Sequence, residues 1–393
     1  MSHMDRRSWL KTGALFTGSL ALLPGLGVMA AKAAPFNVPA GPLSLSALRA
    51  DAGIAHAAPP ELKARLFFNE NPFGPSEKAR QAIQDAIAKS YQYPFMEIRT
   101  LQGKIAAYEG IAPEQVLLSA GSSPLLLAAA IQYCGQPAAS VISGATTYDA
   151  LPGYAEKLGA KWVKVPMTAN HKLDLDAMEK AIDASTRLIY ICNPNNPTAT
   201  VVDNAQLKAF CERVSKKVMV FIDEAYIDYL PDPRAVTLID SVKKGQNIIV
   251  ARTFSKLYGF AGLRVGYVVG LADTLKTLEY HTEGPYSISA PALHAAIAAY
   301  QEQPFLSDTL QKTLASRDFL YKTLQEEGYT YIPSSANFVM FPLKMDGKRF
   351  TEEMMKRGVG IRNWTMQDQQ WCRVSIGRMD EMEAFARAFK EIS

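Results

Sequence analysis

The chain has 393 residues, of which 48% are apolar and 20% charged, and it carries a formal net charge of +4. That is a globular composition with enough apolar residues for a large core and about two domains. Because Arg6, Arg7 and Lys11 supply part of the positive charge, the remainder is close to neutral, which excludes a basic stripe and nucleic acid as a partner.

The chain opens MSHMDRRSWLKTGALFTGSLALLPGLGVMAAKAAPF, with a charge-free run over 12–31. About 20 apolar residues are enough to span a bilayer, but Gly13, Gly18, Pro24, Gly25 and Gly27 make a weak helix. A basic start, a mildly apolar middle and the small-residue end Ala31-Lys32-Ala33 before Ala34 read instead as a cleavable signal peptide over 1–33. The pattern Arg6-Arg7-x-Trp9-Leu10-Lys11 resembles the twin-arginine class, whose cargo crosses the membrane folded and often cofactor-loaded. The expectation is a bacterial protein exported to the periplasm without a permanent membrane anchor.

Residues 34–66 are Pro/Ala-rich and read as an extended arm; with the helical pattern that follows, 34–90 is expected to form an N-terminal arm and part of a small domain. Helical periodicity at 79–90 and 98–108 leads into short apolar runs at 115–120, 139–143, 161–165, 187–192, 218–223, 247–252 and 264–270. Most of these runs alternate with helices, the pattern of a mostly parallel sheet covered on both faces. The fold class is therefore α/β, with a three-layer large domain over 91–285. Helices near 272–283, 289–302 and 307–327, strand-like runs at 337–341, 358–362 and 371–377, and helices at 347–357 and 380–391 predict a smaller α+β domain over 286–393. The four cysteines, Cys134, Cys192, Cys211 and Cys372, show no C-x-x-C spacing and the five histidines never cluster with them. Neither a zinc site nor a disulfide framework is supported, and buried free thiols are expected.

Ligands of open α/β sheets bind beyond the carboxyl ends of the strands, and the unusual residues concentrate there. Gly121-Ser122-Ser123 open a helix, whose exposed N–H groups and dipole suit a phosphate. In "CNPNNPTAT", Pro194 and Pro197 fix a rigid turn and Asn196 offers an amide. Asp223 ends the apolar run "VMVFID", where a carboxylate is costly without a cationic or N–H partner, and Tyr226 follows it. "TFSKLYGFAGLRVGY" puts Lys256, the residue type that forms imines with aldehydes, between Ser255 and Arg264, both suited to phosphate. A phosphate cup (Gly121, Ser122, Ser123, Ser255, Arg264), a buried carboxylate, polar groups for a phenolic oxygen (Asn196, Tyr226) and an imine-forming lysine are what pyridoxal 5′-phosphate requires.

With "NENPFGP" at 69–75, "YQYP" at 91–94, "GSSP" at 121–124, "TTYDAL" at 146–151, "DEAYIDY" at 223–229 and "RVSIG" at 373–377 added, the chain from Asn69 onward resembles the fold-type I PLP aminotransferases of class I/II. Within them it looks most like the histidinol-phosphate aminotransferase branch. The resemblance implies that Lys256 holds the cofactor and moves the substrate proton, with Asp223 and Tyr226 completing the catalytic group. It also implies that Asp223 pairs with the pyridine nitrogen, that Asn196 and Tyr226 meet the ring oxygen, and that Tyr148 stacks on the ring. Tyr93 would cross a homodimer interface to the partner's phosphate; Arg373 would fork onto the substrate α-carboxylate, with Arg362, Asn71 and Asn196 also on the substrate side.

The implied reaction moves an amino group between an L-amino acid, or a histidinol-phosphate-like amine, and a 2-oxo acid. A decarboxylase, cyclase, racemase or lyase on the same scaffold starts from the same residues and stays open, and a binding protein without turnover would be expected to lack Lys256, Asp223 or Arg373. A nicotinamide dehydrogenase is excluded, since no G-x-G-x-x-G follows the first strand. The chain departs from the family at Ala199 (NPTA for NPTG), Pro124 (in place of an acid) and Arg378. An exported location is also unexpected for a biosynthetic histidine enzyme.

Overall fold

The computed structural model describes residues 62–393; the expected signal peptide over 1–33, Arg6 and Arg7 included, and the arm up to 61 lie outside the described residues. The strands are β1 (Ala64–Arg65), β2 (Val116–Ser119), β3 (Ser140–Gly144), β4 (Lys161–Val165), β5 (Thr186–Cys192), β6 (Met219–Asp223), β7 (Ile248–Thr253), β8 (Gly266–Val269), β9 (Phe338–Pro342), β10 (Val359–Gly360), β11 (Arg362–Met366) and β12 (Gln369–Ser375).

Seven of them form one sheet in the order β2-β8-β7-β6-β5-β3-β4. The five from β3 to β7 pair in parallel, while β8 runs antiparallel to both β2 and β7. Alternating residues of the central strands feed two separate cores. Ile189, Ile191, Val220, Ile222 and Val250 lie on one face, and Leu188, Tyr190, Phe221, Ile249 and Ala251 lie on the other. That alternation is the strand period of two expressed on a sheet covered twice. Helix Ser123–Cys134 closes the second face through Leu125, Leu126, Ala128 and Ala129. Helix Ala290–Ala299 closes the first, where helix Glu77–Ile87 also delivers Ala79. That helix, expected with the small domain, therefore packs into the core of the large sheet.

The smaller sheet is β11-β12-β9, all antiparallel. One face, with Val339, Phe341, Cys372 and Val374, packs on Leu320, Leu324, Phe350, Phe385 and Phe389 from the surrounding helices. The opposite face carries Phe338, Met340, Trp371 and Arg373, and Phe338 joins the core of the large sheet. The one expected strand at 358–362 is replaced by two. A two-residue β10 pairs in parallel with β1, and β11 forms a hairpin with β12. Gln367 and Asp368, at φ 52° and 59°, make the tight turn whose left-handed residues match hairpin twist. The four cysteines are buried and unpaired. Among the described residues, no helix is long and apolar enough to cross a membrane.

Candidate active site

Three neighbouring strands run to one edge of the sheet: Cys192, the last residue of β5, is in register with Asp223, the last of β6, and Asp223 with Ala251 of β7, which continues to Thr253. The loops after them carry the chemistry. Asp223 is 2% exposed. Its Oδ2 accepts the Tyr190 hydroxyl at 3.0 Å and its Oδ1 the Ala225 N–H at 3.1 Å. Both donors are neutral, and burial pushes the carboxyl up to about 6 against the pull of those hydrogen bonds and of Lys256. A buried carboxylate in this state gains most from a protonated ring nitrogen.

Lys256 lies just beyond β7. Its Nζ donates to the Asn69 carbonyl at 3.3 Å and stands 5.2 Å from the centre of the Tyr226 ring. Burial, with Arg373 adding to it and Asp223 opposing, lowers this lysine to about 8. An amine so lowered has a neutral, nucleophilic fraction of about a tenth near pH 7, against well under a hundredth for an ordinary lysine.

The phosphate cup is assembled from distant segments. Gly121, at φ 82°, turns the chain into the N-terminus of helix Ser123–Cys134, and the Ser122 side chain makes no capping bond there. The Arg264 guanidinium packs so closely over Gly121 that a Cβ would overlap it, and a Cβ on Gly266 would overlap the Ser122 nitrogen. Arg264 Nη1 donates to Ser255 Oγ at 3.2 Å, and the Thr253 hydroxyl donates to the same oxygen at 3.0 Å. Free helix N–H groups, two hydroxyls and a guanidinium thus meet at one point, a donor set that fits a phosphate.

Arg373, on the inward face of β12, is 3% exposed. It donates from Nη1 to Asn196 Oδ1 at 2.8 Å and from Nη2 to the Phe67 carbonyl at 3.0 Å, while its Nε–H has no acceptor. Burial lowers it to about 10, and an anion is the partner that would satisfy it.

Residues 63–389 match the family model described as aminotransferase class I and II. The chain belongs to that family. It is 34% identical over 330 residues to a histidinol-phosphate aminotransferase of Moorella thermoacetica, covering 84% of this chain and 85% of that protein. It is 36% identical over 321 residues to an aromatic amino acid aminotransferase of Mycolicibacterium vanbaalenii, covering 82% and 90%. The crystal structure of histidinol-phosphate aminotransferase from Sinorhizobium meliloti in complex with pyridoxal-5′-phosphate superposes with a TM-score of 0.77 at 25% identity, covering 89% of this chain and 96% of that one. The protein is thus a PLP-dependent transaminase of the PLP-transferase fold, and the carboxylate, lysine and phosphate cup described above fit pyridoxal 5′-phosphate.

The remaining expected residues of the aminotransferase divide. Tyr226 is buried, accepts Asn69 Nδ2 at 3.1 Å on its hydroxyl and packs edge-on to Phe338. Tyr148 is half-buried, and burial, reinforced by nearby Asp223, pushes its hydroxyl up to about 12. Both belong to the cluster. Arg362 is exposed and sits directly across the hairpin from Arg373. Tyr93 is 80% exposed, beside Phe95 on a surface patch.

Asn71, expected on the substrate side, is held in place by two hydrogen bonds. Its Nδ2 donates to the Leu257 carbonyl at 2.7 Å, bracing the loop after Lys256, and its Oδ1 accepts the Phe73 N–H at 3.0 Å within its own turn.

Several residues of the site escaped sequence reasoning. Tyr190 behind Asp223 looked like one more apolar strand residue. Asn69, Asn337 and Ser375 form a buried hydrogen-bonded group beside Lys256. Trp364 stands over Arg373 at 5.5 Å, and Trp371 packs edge-on to His171 at 5.2 Å. The available signals were the motifs at 69–75 and 373–377, which held Asn69 and Ser375 but not their roles.

Proposed function

We propose that the enzyme transfers the amino group of an L-amino acid, or of a histidinol-phosphate-like amine, whose side chain carries a flat ring, to a 2-oxo acid in two ping-pong half reactions. The observation that carries this reading is geometric: the neighbouring strands β6 and β7 place the buried Asp223 carboxyl and the Lys256 amine on adjacent loops, with Arg264 hydrogen-bonded to Ser255 and Arg373 fixed on Asn196. A carboxylate for a ring nitrogen, an amine, a phosphate cup and a forked cation for a carboxylate are what amino-group transfer on this cofactor requires.

Pyridoxal 5′-phosphate, when bound, supplies the electron sink that loosens the bonds at the substrate Cα. Lys256 Nζ would hold its aldehyde carbon and, once displaced by the substrate amine, would carry the proton from the substrate Cα to that carbon. Asp223 would keep the ring nitrogen protonated. Asn196 and Tyr226 would bind the ring oxygen, Tyr148 would lie against the ring, and Ser122, Ser123, Ser255 and Arg264 would hold the phosphate. Arg373 orients the substrate by its α-carboxylate, a two-pronged contact that its planar fork makes and a lysine does not.

The ring preference is supported by Phe338 and Trp364, which flank the Arg373 guanidinium at 5.4 and 5.5 Å. Arg362, at the exposed end of the same hairpin, is the group for a distal anion. Assembly as a homodimer, with Tyr93 reaching the partner's phosphate, is supported by the exposed cluster of Tyr91, Tyr93, Phe95, Met96 and Tyr286. Export by the twin-arginine route to the periplasm is supported by the pattern around Arg6 and Arg7.

The test is a screen of purified enzyme against aromatic and acidic L-amino acids and histidinol phosphate, each with a set of 2-oxo acids. Ring-bearing donors should lead; faster turnover of acidic donors would overturn the substrate reading. Arg362→Ala should weaken only donors with a distal anion.

A further inference from the structure

Every polar group of Asn69 is engaged, although nothing in its residue type singles it out. Its N–H donates to Ser375 Oγ at 2.7 Å, and the Ser375 hydroxyl donates back to Asn69 Oδ1 at 3.0 Å. Its carbonyl receives Lys256 Nζ at 3.3 Å and Asn337 Nδ2 at 3.0 Å. Its Nδ2 donates to Tyr226 Oη at 3.1 Å. The residue is 2% exposed. Its φ of 55° lies in the left-handed region, which asparagine tolerates better than other residues with a Cβ. Four partners, from three loops and the end of β12, therefore meet on one buried residue, Lys256 and Asn337 on its carbonyl and Tyr226 and Ser375 on its side chain.

The consequence for Tyr226 is directional. A phenol oxygen donates one hydrogen bond and accepts others. Asn69 Nδ2 occupies the accepting side, so the hydroxyl proton is left to point elsewhere.

We propose that Asn69 is a positioning residue that aims the Tyr226 O–H at the ring oxygen of bound pyridoxal phosphate, while its carbonyl parks the free amine of Lys256. The inference rests on the assignment of Tyr226 to the ring oxygen. A hydrogen bond donated to that oxygen favours negative charge there and so favours loss of the neighbouring proton. Weakening the bond raises the pH midpoint at which the visible absorbance of the bound cofactor changes.

The experiment compares the loaded wild-type enzyme with Asn69→Gly, Tyr226→Phe and the double variant by pH titration of that absorbance. Glycine keeps the left-handed backbone and the three main-chain contacts, and deletes only the side chain. Tyr226→Phe should raise the midpoint by about one unit or more, and Asn69→Gly by about half a unit to one unit. The double variant should titrate like Tyr226→Phe alone, because aiming a missing hydroxyl has no effect.

An unchanged midpoint in Asn69→Gly, or a shift that adds in full to that of Tyr226→Phe, overturns the proposal. An unchanged midpoint in Tyr226→Phe instead removes the tyrosine assignment on which it stands. Should the glycine variant fail to fold, Asn69→Asp keeps the size and backbone tolerance but turns the donor into an acceptor that draws the Tyr226 proton to itself. It should raise the midpoint in the wild-type background by more than it does with phenylalanine at 226, and equal shifts in the two backgrounds overturn the proposal.

Discussion

Arg373 and Asn196 are joined by a 2.8 Å hydrogen bond from Nη1 to Oδ1, which ties the last strand of the small sheet to the turn at the end of β5. The guanidinium is thereby held before any substrate arrives, with its Nε–H still unpaired. Arg373→Lys keeps a charge but loses the planar fork. It should lower kcat/KM for L-amino acids by about a hundredfold, mainly through KM, while the melting temperature moves little. Steady-state kinetics with the best donor, alongside thermal melting, check this.

Gly121 is the point where the phosphate cup has no room. It combines a φ of 82° with direct overlap of any Cβ by the Arg264 guanidinium. Gly121→Ala should weaken pyridoxal phosphate binding by about tenfold or more, from backbone strain of about 1–2 kcal/mol and displacement of Arg264. Titration of the cofactor-free protein with pyridoxal phosphate, followed by fluorescence, measures the change.

Asp223 gives a pH dependence whose sign is fixed. Its carboxyl rises from an ordinary 3.8 to about 6 in the folded protein, so between these values the folded state holds a proton that the unfolded chain releases. Stability of the cofactor-free enzyme should therefore fall as pH rises from about 4 to about 6, by about 3 kcal/mol. Asp223→Asn should flatten that fall. Lys256 acts at the other end: lowered from 10.5 to about 8, it makes stability rise again as pH increases from about 8 to about 10.5. Urea unfolding of wild-type and variant proteins across pH 4–7 tests the acid limb.

Ala199 is the family's glycine position, and the structure explains the glycine. The backbone there has φ 57° and is fully buried. Ala199→Gly should stabilise the enzyme by about 0.5–1 kcal/mol, the relief of a left-handed alanine less the entropy cost of glycine. Chemical denaturation midpoints measure it.

The large sheet and its chemistry were legible because burial is expensive for polar groups. A carboxylate at Asp223 and an amine at Lys256 stand out at the ends of apolar runs, and the runs themselves specify buried strands. Direction is not written in such runs, so the reversal of β8 was not. The strand Arg362–Met366 was hidden because Arg362, Asn363 and Thr365 are polar and exposed, leaving Trp364 and Met366 as its only apolar residues. It exists through pairing with β12 and a turn of Gln367 and Asp368 that lacks the usual glycine. Tyr190 was invisible for the opposite reason: its ring belongs to the core, and only its hydroxyl reaches Asp223. Asn69 and Asn71 shared one motif, and only the fold separates a hub beside Lys256 from a loop brace.

The most direct measurement is a single half reaction. The loaded enzyme, mixed with an excess of a ring-bearing amino donor and no acceptor, should release one equivalent of the corresponding oxo compound per active site and stop. Adding a 2-oxo acid should restart turnover, and Lys256→Ala should do neither. Continuous product without an acceptor, release of carbon dioxide, or an undiminished burst in Lys256→Ala would contradict the account.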